Sequence, residues 1–399
     1  MNTSIIRGNA SLNIERYHQL DSIRGLAALF VVFYHLYLVA QNLLPTSLDK
    51  VLKYTPLRIF ITGNESVIFF FVLSGFVLSL PFLISKQPYV PYIIKRICRI
   101  WIPFAVAISF AIVAKTFFYA DPIQSLSTWF NRQWATPNSM GLILNHYALI
   151  GTYDVYAYDV VLWSLIHEMR ISLIFPIIMY SVIKYNWKIN IAFGVFLAVV
   201  GGVVHLFYNN PYQHFYKTLL YLLMFIIGAL IAKNLPILRS IYSKLKTITR
   251  TGIILLGFLL YCYSFLFKNP MLKDWGALTG SAILLICAVA SPLFSKALLL
   301  KPLRFLGKTS YSLYLYHVII IFSFIHLFYG VIPLWSILSL SFVLSFIISW
   351  LAWKYVEVPS MAIGRSISNF IVNRRKTKNA ARYETPSSIV ETGSVVQKQ

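Results

Sequence analysis

Long apolar runs separated by short polar stretches dominate the chain. Ten of them are close to, or exceed, the length that a helix needs to cross about 30 Å of hydrocarbon. The pattern therefore predicts an all-α polytopic membrane protein with about ten transmembrane helices. The predicted spans are Leu20–Leu44, Ser66–Ile84, Ile100–Phe118, Val161–Ile183, Ile189–Phe207, Tyr216–Ala232, Gly252–Phe267, Gly276–Ser295, Tyr311–Phe328 and Ile332–Trp353.

The remaining stretches divide the chain into three parts. Residues 1–19 are polar and form an N-terminal segment, and residues 20–360 form the transmembrane domain. Residues 361–399 are basic and polar without an apolar period, which predicts a disordered tail. Inside the transmembrane domain, the run Leu142–Ile150 is too short to cross, and it is predicted to be a re-entrant or interfacial segment.

Composition and charge support this class and add an orientation. Apolar residues make up 58% and charged residues 12%, against about 45–50% and about 25% in soluble domains, which excludes a soluble enzyme. The net charge of +23 is typical of nucleic-acid binders as well, but the bases lie between apolar runs. With the N-terminus inside, 25 of the 33 Lys and Arg residues outside the spans fall on the cytoplasmic side. The positive-inside rule then predicts a multi-pass cell-membrane protein surrounded by lipid, with both termini cytoplasmic and no nucleic-acid partner.

Ionisable residues inside spans are costly and are functional candidates. In the first span, Arg24 and His35 are eleven positions apart and so share one helix face, about 16 Å apart along the axis. Such a pair could hold an anionic molecule by one end and act on its other end, because Arg binds phosphate and His transfers protons near neutral pH. A surface Arg and a packing His are the structural alternative.

Span four carries a polar stripe. Ser164, Glu168 and Ser172 recur every four positions, with Trp163 beside them, and lipid cannot solvate that face. We expect it to face a cavity or a polar partner. The alternative is a structural ion pair of Glu168 with Arg170 or Arg24.

Three further clusters are candidates. Tyr314 and His317 share a face with Ser310 in span nine, where they can orient a ligand carbonyl or pack as an aromatic stripe. Arg96 and Arg99 can clamp a phosphate, although topology alone also demands bases there. Ser74 and Gly75 in span two allow close approach of another helix. The three cysteines are scattered and predict neither a disulfide nor a metal site.

Taken in order, these motifs resemble the acyltransferase-3 family of integral membrane O-acyltransferases. The likeness covers roughly residues 16–360. The matching elements are Arg24 with His35, the Phe-Phe-x-Leu-Ser-Gly-Phe run ending at Phe76, Lys95–Ile100 with Pro103, Trp163-Ser164-Leu165 with Glu168 and Pro176, Ser310–Tyr314 with His317, and Glu357-Val358-Pro359.

The resemblance implies a ten-helix enzyme that moves an acyl group, commonly acetyl, from cytoplasmic acyl-CoA to a hydroxyl. The acceptor is often a sugar of a bacterial surface glycan such as an exopolysaccharide or lipopolysaccharide, or a lipid-linked carbohydrate. The implied catalytic residues are His35, Glu168 and Arg24, and those for acyl-CoA are Arg24, Arg96 and Arg99. Tyr314, His317, Ser164 and Trp163 are candidates for binding the substrate or the oxyanion. Acetyl-CoA is the expected donor, with no permanently bound cofactor.

Some family members carry a second, extracytoplasmic domain that passes the acyl group on. Here only a polar tail follows the last span, so we expect the chain to complete the transfer alone or to hand the acyl group to a separate extracytoplasmic protein. Glu168 is expected to fix the tautomer of His35. A proton-coupled transporter or a flippase for a lipid-linked sugar is the competing hypothesis, since such proteins also carry intramembrane Arg, His and Glu. A membrane sensor whose partner binds the basic tail is a third.

Overall fold

The computed structural model describes residues 17–207 and 215–383, and within these ranges the chain is helical apart from loops and one isolated bridge between Tyr329 and Ile332. Four short 3-10 helices and a π-helical turn, Trp353–Glu357, supplement the α-helices. The α-helices are α1 His18–Ala40, α2 Thr46–Tyr54, α3 Gly63–Ile84, α4 Tyr89–Phe118, α5 Thr128–Asn131, α6 Met140–Ala148, α7 Leu162–Lys184, α8 Trp187–Phe207, α9 Phe215–Lys233, α10 Leu235–Lys244, α11 Thr247–Cys262, α12 Pro270–Ala290, α13 Pro292–Leu298, α14 Lys301–Phe328, α15 Leu334–Ala352 and α16 Val358–Tyr383.

Nine helical segments in the described ranges are long and apolar enough to cross a membrane, so the chain is a multi-pass membrane protein. They coincide with nine of the ten predicted spans. The remaining prediction, the seventh span Gly252–Phe267, corresponds to α11, an apolar helix of 16 residues. At 1.5 Å per residue α11 is about 24 Å long, shorter than the hydrocarbon core. The orientation of the termini stays a prediction.

Helices α1 and α14 run side by side in the same direction through the bundle. They touch at Gly25 and Gly307, where a Cβ on Gly25 would lie 2.6 Å from the backbone of Leu306 and Gly307. His35 and His317 contact each other further along, and both pairs are 282 positions apart in sequence. The two helices therefore keep one parallel register over ten residues, or about 15 Å.

Helices α3 and α9 form a second close crossing. A Cβ on Gly75 would lie 2.2 Å from the carbonyl oxygen of Phe225, and a Cβ on Gly228 would lie 2.0 Å from that of Val72. The close approach expected at Ser74-Gly75 is confirmed. The side chain of Ser74 is left free to point elsewhere, and it donates to Glu168.

The polar segment between α4 and α7 folds back over the His35 end of the bundle. The buried Lys115 ammonium donates to the carbonyl oxygens of Thr136 and Ala157, and Arg170 donates to those of Ile150 and Gly151. Because two cations donate hydrogen bonds to these loop carbonyls, the segment is held in place. Its short helix α5 lies against α1. Helix α6, the predicted re-entrant or interfacial segment, has nine residues and is too short to cross.

The tail differs from the prediction. Residues 361–383 continue α16, so the expectation of disorder is wrong for them; residues 384–399 lie outside the described residues. The physical reason is a stripe of small buried residues, Ser360, Gly364 and Ser368, spaced four apart on one helix face. A Cβ on Gly364 would lie 2.9 Å from Cβ of Cys98 in α4. The stripe therefore lets α16 pack tightly against α4.

Candidate active site

A cavity of about 450 Å3 lies between α1, α3, α4, α7 and α14. Its volume falls in the range typical of small-molecule sites. Helix α3 lines it from Val67 to Phe82, sixteen residues whose fifteen steps span about 22 Å. The polar and charged residues of its wall are Arg24, Ser74, Gln87, Tyr92, Lys95, Arg96, Arg99, Ser164, Glu168, Ser310, Tyr311 and Tyr314.

One end of the cavity is cationic. Arg24, Lys95, Arg96 and Arg99 all line it. Arg24 is held by Asp21, at 3.3 Å in the preceding turn of α1. Arg99 is close enough to Arg24 and Arg96 for their positive charges to act on it. It makes no hydrogen bond or ion pair with any residue that the structure describes. An unpaired guanidinium beside two others is suited to binding a polyanion such as a diphosphate.

Glu168 belongs to this cationic end. Its Oε1 accepts from Arg96 at 3.1 Å and from the hydroxyl of Ser74 at 3.3 Å. Arg96 also donates to the hydroxyl of Ser172 at 2.9 Å, so two residues of the predicted polar stripe hold one guanidinium. Glu168 forms no hydrogen bond with His35, whose tautomer it was expected to fix. It pairs with neither Arg170 nor Arg24, the two alternative partners for an ion pair. Depth separates Glu168 from His35, because Glu168 lies one helical turn from Ser164 toward the cationic end. Arg24 pairs with Asp21 instead, and Arg170 donates to loop carbonyls.

The other end of the cavity is closed by hydroxyl and aromatic groups. The Tyr314 hydroxyl lies 2.7 Å from Oγ of Ser164 and donates to the carbonyl oxygen of Val161 at 3.2 Å. The ring of Phe70 packs edge-on against Tyr314, with centroids 5.6 Å apart.

His35 lies just beyond this closed end. Its Nδ1 is 2.8 Å from Nε2 of His317, which follows Tyr314 by one turn of α14. Nδ1 of His317 in turn lies 2.9 Å from the carbonyl oxygen of Leu313. The indole of Trp129 in α5 stacks on His35 with ring centroids 5.3 Å apart and an interplanar angle of 15°. Both imidazoles are buried, with 9% of His35 and 0% of His317 exposed.

The structure thus brings together most of the predicted site residues along one path, and it leaves one outside. Arg24, Arg96, Arg99, Glu168, Ser164 and Tyr314 line the cavity, and His35 and His317 form a pair at its closed end. Trp163 does not line the cavity. It packs among Phe71, His167 and Tyr221 on the other side of α7.

Two residues at the site were not among the predicted site residues. Glu357, the acid of the Glu-Val-Pro match, is buried in the π-helical turn and accepts from the Ser312 hydroxyl at 2.8 Å, close enough to act on Arg99 and Arg24. The sequence signal was a lone carboxylate at the end of a span. Trp129 covers His35 from the polar segment between α4 and α7. No helical spacing in the sequence links Trp129 to His35.

This arrangement defines a class of protein. A membrane-embedded helical bundle holds one elongated cavity that can bind an anionic group at one end. Hydroxyl groups close its other end, and the two imidazoles lie behind them. Such a site suits transfer chemistry on a long, phosphorylated donor.

The comparisons with known proteins agree. Residues 17–354 match the acyltransferase-3 family model, described as an acyltransferase domain, and the chain belongs to this family. Similar proteins include O-acetyltransferase OatA of Staphylococcus aureus strain NCTC 8325 / PS 47 and that of strain COL. Each is 27% identical over 231 residues, which cover 54% of this chain. The chain spans only 38% of the length of these relatives. No solved structure matches.

Proposed function

We propose that this chain is a membrane O-acyltransferase, and in particular an O-acetyltransferase. It moves the acyl group of cytoplasmic acyl-CoA to a hydroxyl of a cell-surface or lipid-linked carbohydrate. The observation that carries the proposal is the single cavity that joins Arg24, Arg96 and Arg99 to the wall formed by Ser164 and Tyr314, behind which His35 lies. The positive-inside count supports placing the cationic end at the cytoplasmic face.

The donor fits the cavity by charge and by length. The phosphates of acyl-CoA would bind at Arg24, Lys95, Arg96 and Arg99, with Arg99 as the guanidinium that has no protein partner to give up. The pantetheine arm is about as long as four extended residues, or about 14 Å. That is close to the axial distance of about 16 Å between Arg24 and His35. The apolar walls from α3 would surround the arm.

The chemistry would take place at the closed end. His35 takes the proton of the acceptor hydroxyl, whose oxygen attacks the thioester carbonyl carbon. The Tyr314 hydroxyl turns from the Val161 carbonyl, which Ser164 can still serve at 3.1 Å, and donates to the thioester oxygen as it becomes negative. The C–S bond then breaks, and the CoA thiolate takes the proton from His35. In a route through an acyl-imidazole, His35 attacks the thioester first and the CoA thiolate leaves; the acceptor oxygen then takes the acyl group from the imidazole, and the acceptor proton passes to the thiolate.

The acceptor would reach His35 from the side opposite the donor. Trp129 covers His35 there, within the polar segment that carries several aromatic residues. Aromatic rings stack on sugars, which supports a carbohydrate acceptor. The relatives are named O-acetyltransferase OatA, which supports acetyl as the transferred group. The chain would complete this transfer itself or pass the acyl group to a separate extracytoplasmic protein.

A labelling experiment tests the proposal. Membranes with wild-type protein or with His35→Ala are incubated with radiolabelled acetyl-CoA, and alkali-labile label is measured on glycan and lipid-linked sugar. The matched control is His205→Ala, which removes an imidazole that stacks on Tyr216 away from the cavity. We expect label with wild type and the control and none with His35→Ala. Equal label in all three would remove His35 from the reaction, and none in folded wild type with any acyl-CoA would overturn the proposed activity.

A further inference from the structure

The hydrogen bonds of the two imidazoles form a chain with one fixed end. A carbonyl oxygen can only accept, so the 2.9 Å contact with Leu313 requires the proton of His317 to be on Nδ1. A neutral His317 then has a lone pair on Nε2. The 2.8 Å contact with Nδ1 of His35 needs one donor, and that donor must be His35.

The remaining alternative is a charged His317, which would donate from Nε2 and reverse the bond. Both rings are buried, and no carboxylate pairs with either of them in the described ranges. A buried imidazolium without a counter-ion is costly, so the neutral chain is favoured.

We infer that His317 is a positioning residue that holds His35 in the Nδ1–H tautomer and leaves Nε2 of His35 as the basic atom. This role rests on the proposed function, in which His35 takes a proton from the acceptor hydroxyl. In effect, His317 and the Leu313 carbonyl do what a buried carboxylate does for histidine in hydrolase triads, without adding a negative charge.

The backbone presets this pair. The contact of Gly25 with Gly307 fixes the register of α1 and α14, and His35 and His317 follow it by ten residues each. Trp129 stacks on His35 and limits the rotation of its ring. The geometry therefore exists before any substrate binds, which is how an effective base is held.

The same bond also serves the protonated state. When Nε2 of His35 takes the acceptor proton, Nδ1–H continues to donate to His317, and the bond becomes charge-assisted and stronger. His317 needs no second proton, since its own N–H remains on Leu313. The proton on Nε2 is then available for the CoA thiolate.

Two substitutions separate positioning from packing. In His317→Gln the side-chain amide oxygen can take the place of Nε2 and accept from His35, whereas His317→Leu fills the space without an acceptor. We expect His317→Leu to lower kcat on the order of 100-fold, the contribution typical of general base catalysis, with little change in the KM for acyl-CoA. His317→Gln should recover most of that loss, and His205→Leu is the matched control. A purely packing role would instead make Leu at least as good as Gln.

The decisive readout is the tautomer itself. Nitrogen-15 NMR of histidine-labelled protein in nanodiscs, with His35 assigned by its loss in His35→Ala, should show a protonated Nδ1 and a bare Nε2 in wild type. In His317→Leu, His35 should no longer favour the tautomer with the proton on Nδ1. A wild type with the proton on Nε2 overturns the inference, even where His317→Leu fails to fold. Because no substrate is needed, an inactive wild type with the expected tautomer would contradict the proposed function and leave this inference standing.

Discussion

Glu168 and Arg96 form an ion pair at 3.1 Å across the cationic end of the cavity. The pair neutralises part of a cluster that otherwise holds three arginines and a lysine. It also places the carboxylate away from His35, which is paired with His317 instead. The carboxylate and the imidazole therefore have different roles: Glu168 contributes to binding of the donor, and His35 contributes to the transfer step.

Replacing Glu168 should therefore affect binding more than turnover. In Glu168→Ala, Arg96 keeps Ser172 but loses the partner that fixes its guanidinium, so Arg96 must be ordered again when the donor binds. At about 0.5–1.5 kcal/mol for one side chain, the KM for acyl-CoA should rise up to about tenfold despite the added positive charge. The control is Glu168→Gln, which keeps an acceptor and should have a smaller effect. Steady-state kinetics checks this. A fall in kcat as large as that of His35→Ala, at unchanged KM, would return Glu168 to the reacting atoms.

Arg99 should recognise the phosphates of the donor. Arg99→Ala should raise the KM for acetyl-CoA about tenfold or more, because a charged hydrogen bond to phosphate is lost. With S-acetyl-pantetheine, which lacks the nucleotide and its phosphates, wild type and variant should have similar KM values. Arg132→Ala is the control, since Arg132 stacks on Tyr156 in the polar segment. An equal defect with both donors would contradict phosphate recognition.

The contact between Gly25 and Gly307 should be needed for both stability and activity. In Gly25→Ala the methyl group would lie 2.6 Å from the backbone of α14, so the helices must separate and the His35–His317 bond must lengthen. We expect a loss of about 1–3 kcal/mol, typical of overpacking, together with a fall in kcat. Thermal unfolding in detergent and kinetics measure the two effects.

Gly252→Ala is the matched control for this prediction. No atom lies within 4 Å of a Cβ at this position in α11. The substitution should leave activity unchanged and raise stability slightly, by up to about 1 kcal/mol, because alanine is the better helix former. If Gly25→Ala behaved like Gly252→Ala, close packing of α1 on α14 would not be needed.

His146 should make the polar segment sensitive to acid. Burial lowers the pKa of His146 to about 4; its Nδ1 lies 2.7 Å from the Leu142 carbonyl oxygen, and Nε2 has no partner in the described part of the chain. A histidine whose folded pKa lies below its unfolded value of about 6.5 contributes stability above pH 6.5 or so. That contribution is lost as the pH falls from about 6.5 toward about 4.

Limited proteolysis of the segment across this pH range measures the effect. Wild type should become more sensitive as the pH falls, and His146→Gln, which has no titrating group, should show a flatter response. The same slope in both proteins would mean that other groups cause the acid sensitivity.

Much of the fold and part of the site follow from sequence, because both depend on periodicity within one helix. Apolar run lengths predicted nine of the spans, and helical spacing placed Arg24 and His35 on one face and Ser164 with Glu168 on another. The seventh predicted span, Gly252–Phe267, does not reach spanning length in the structure, since α11 has only 16 residues.

The contacts between helices could not be predicted from the sequence. The spacing showed that Glu168 needed a polar partner but not which of several bases provides it, and the structure supplies Arg96. The partner of His35 is set by the register of α1 against α14, which depends on the Gly25–Gly307 contact. Trp129 reaches His35 only because its loop is folded back. The sequence does contain the four-residue spacing of Ser360, Gly364 and Ser368, but the polar composition of the tail led to a prediction of disorder instead.

The most direct test of the account is an experimental structure of the protein in nanodiscs with a non-hydrolysable thioether analogue of acetyl-CoA. We expect the phosphates to lie at Arg24, Arg96 and Arg99, the pantetheine to run along α3, and the carbonyl to lie at Tyr314 within reach of His35. An analogue bound elsewhere, or phosphates at the cationic end with the carbonyl pointing away from His35, would contradict it.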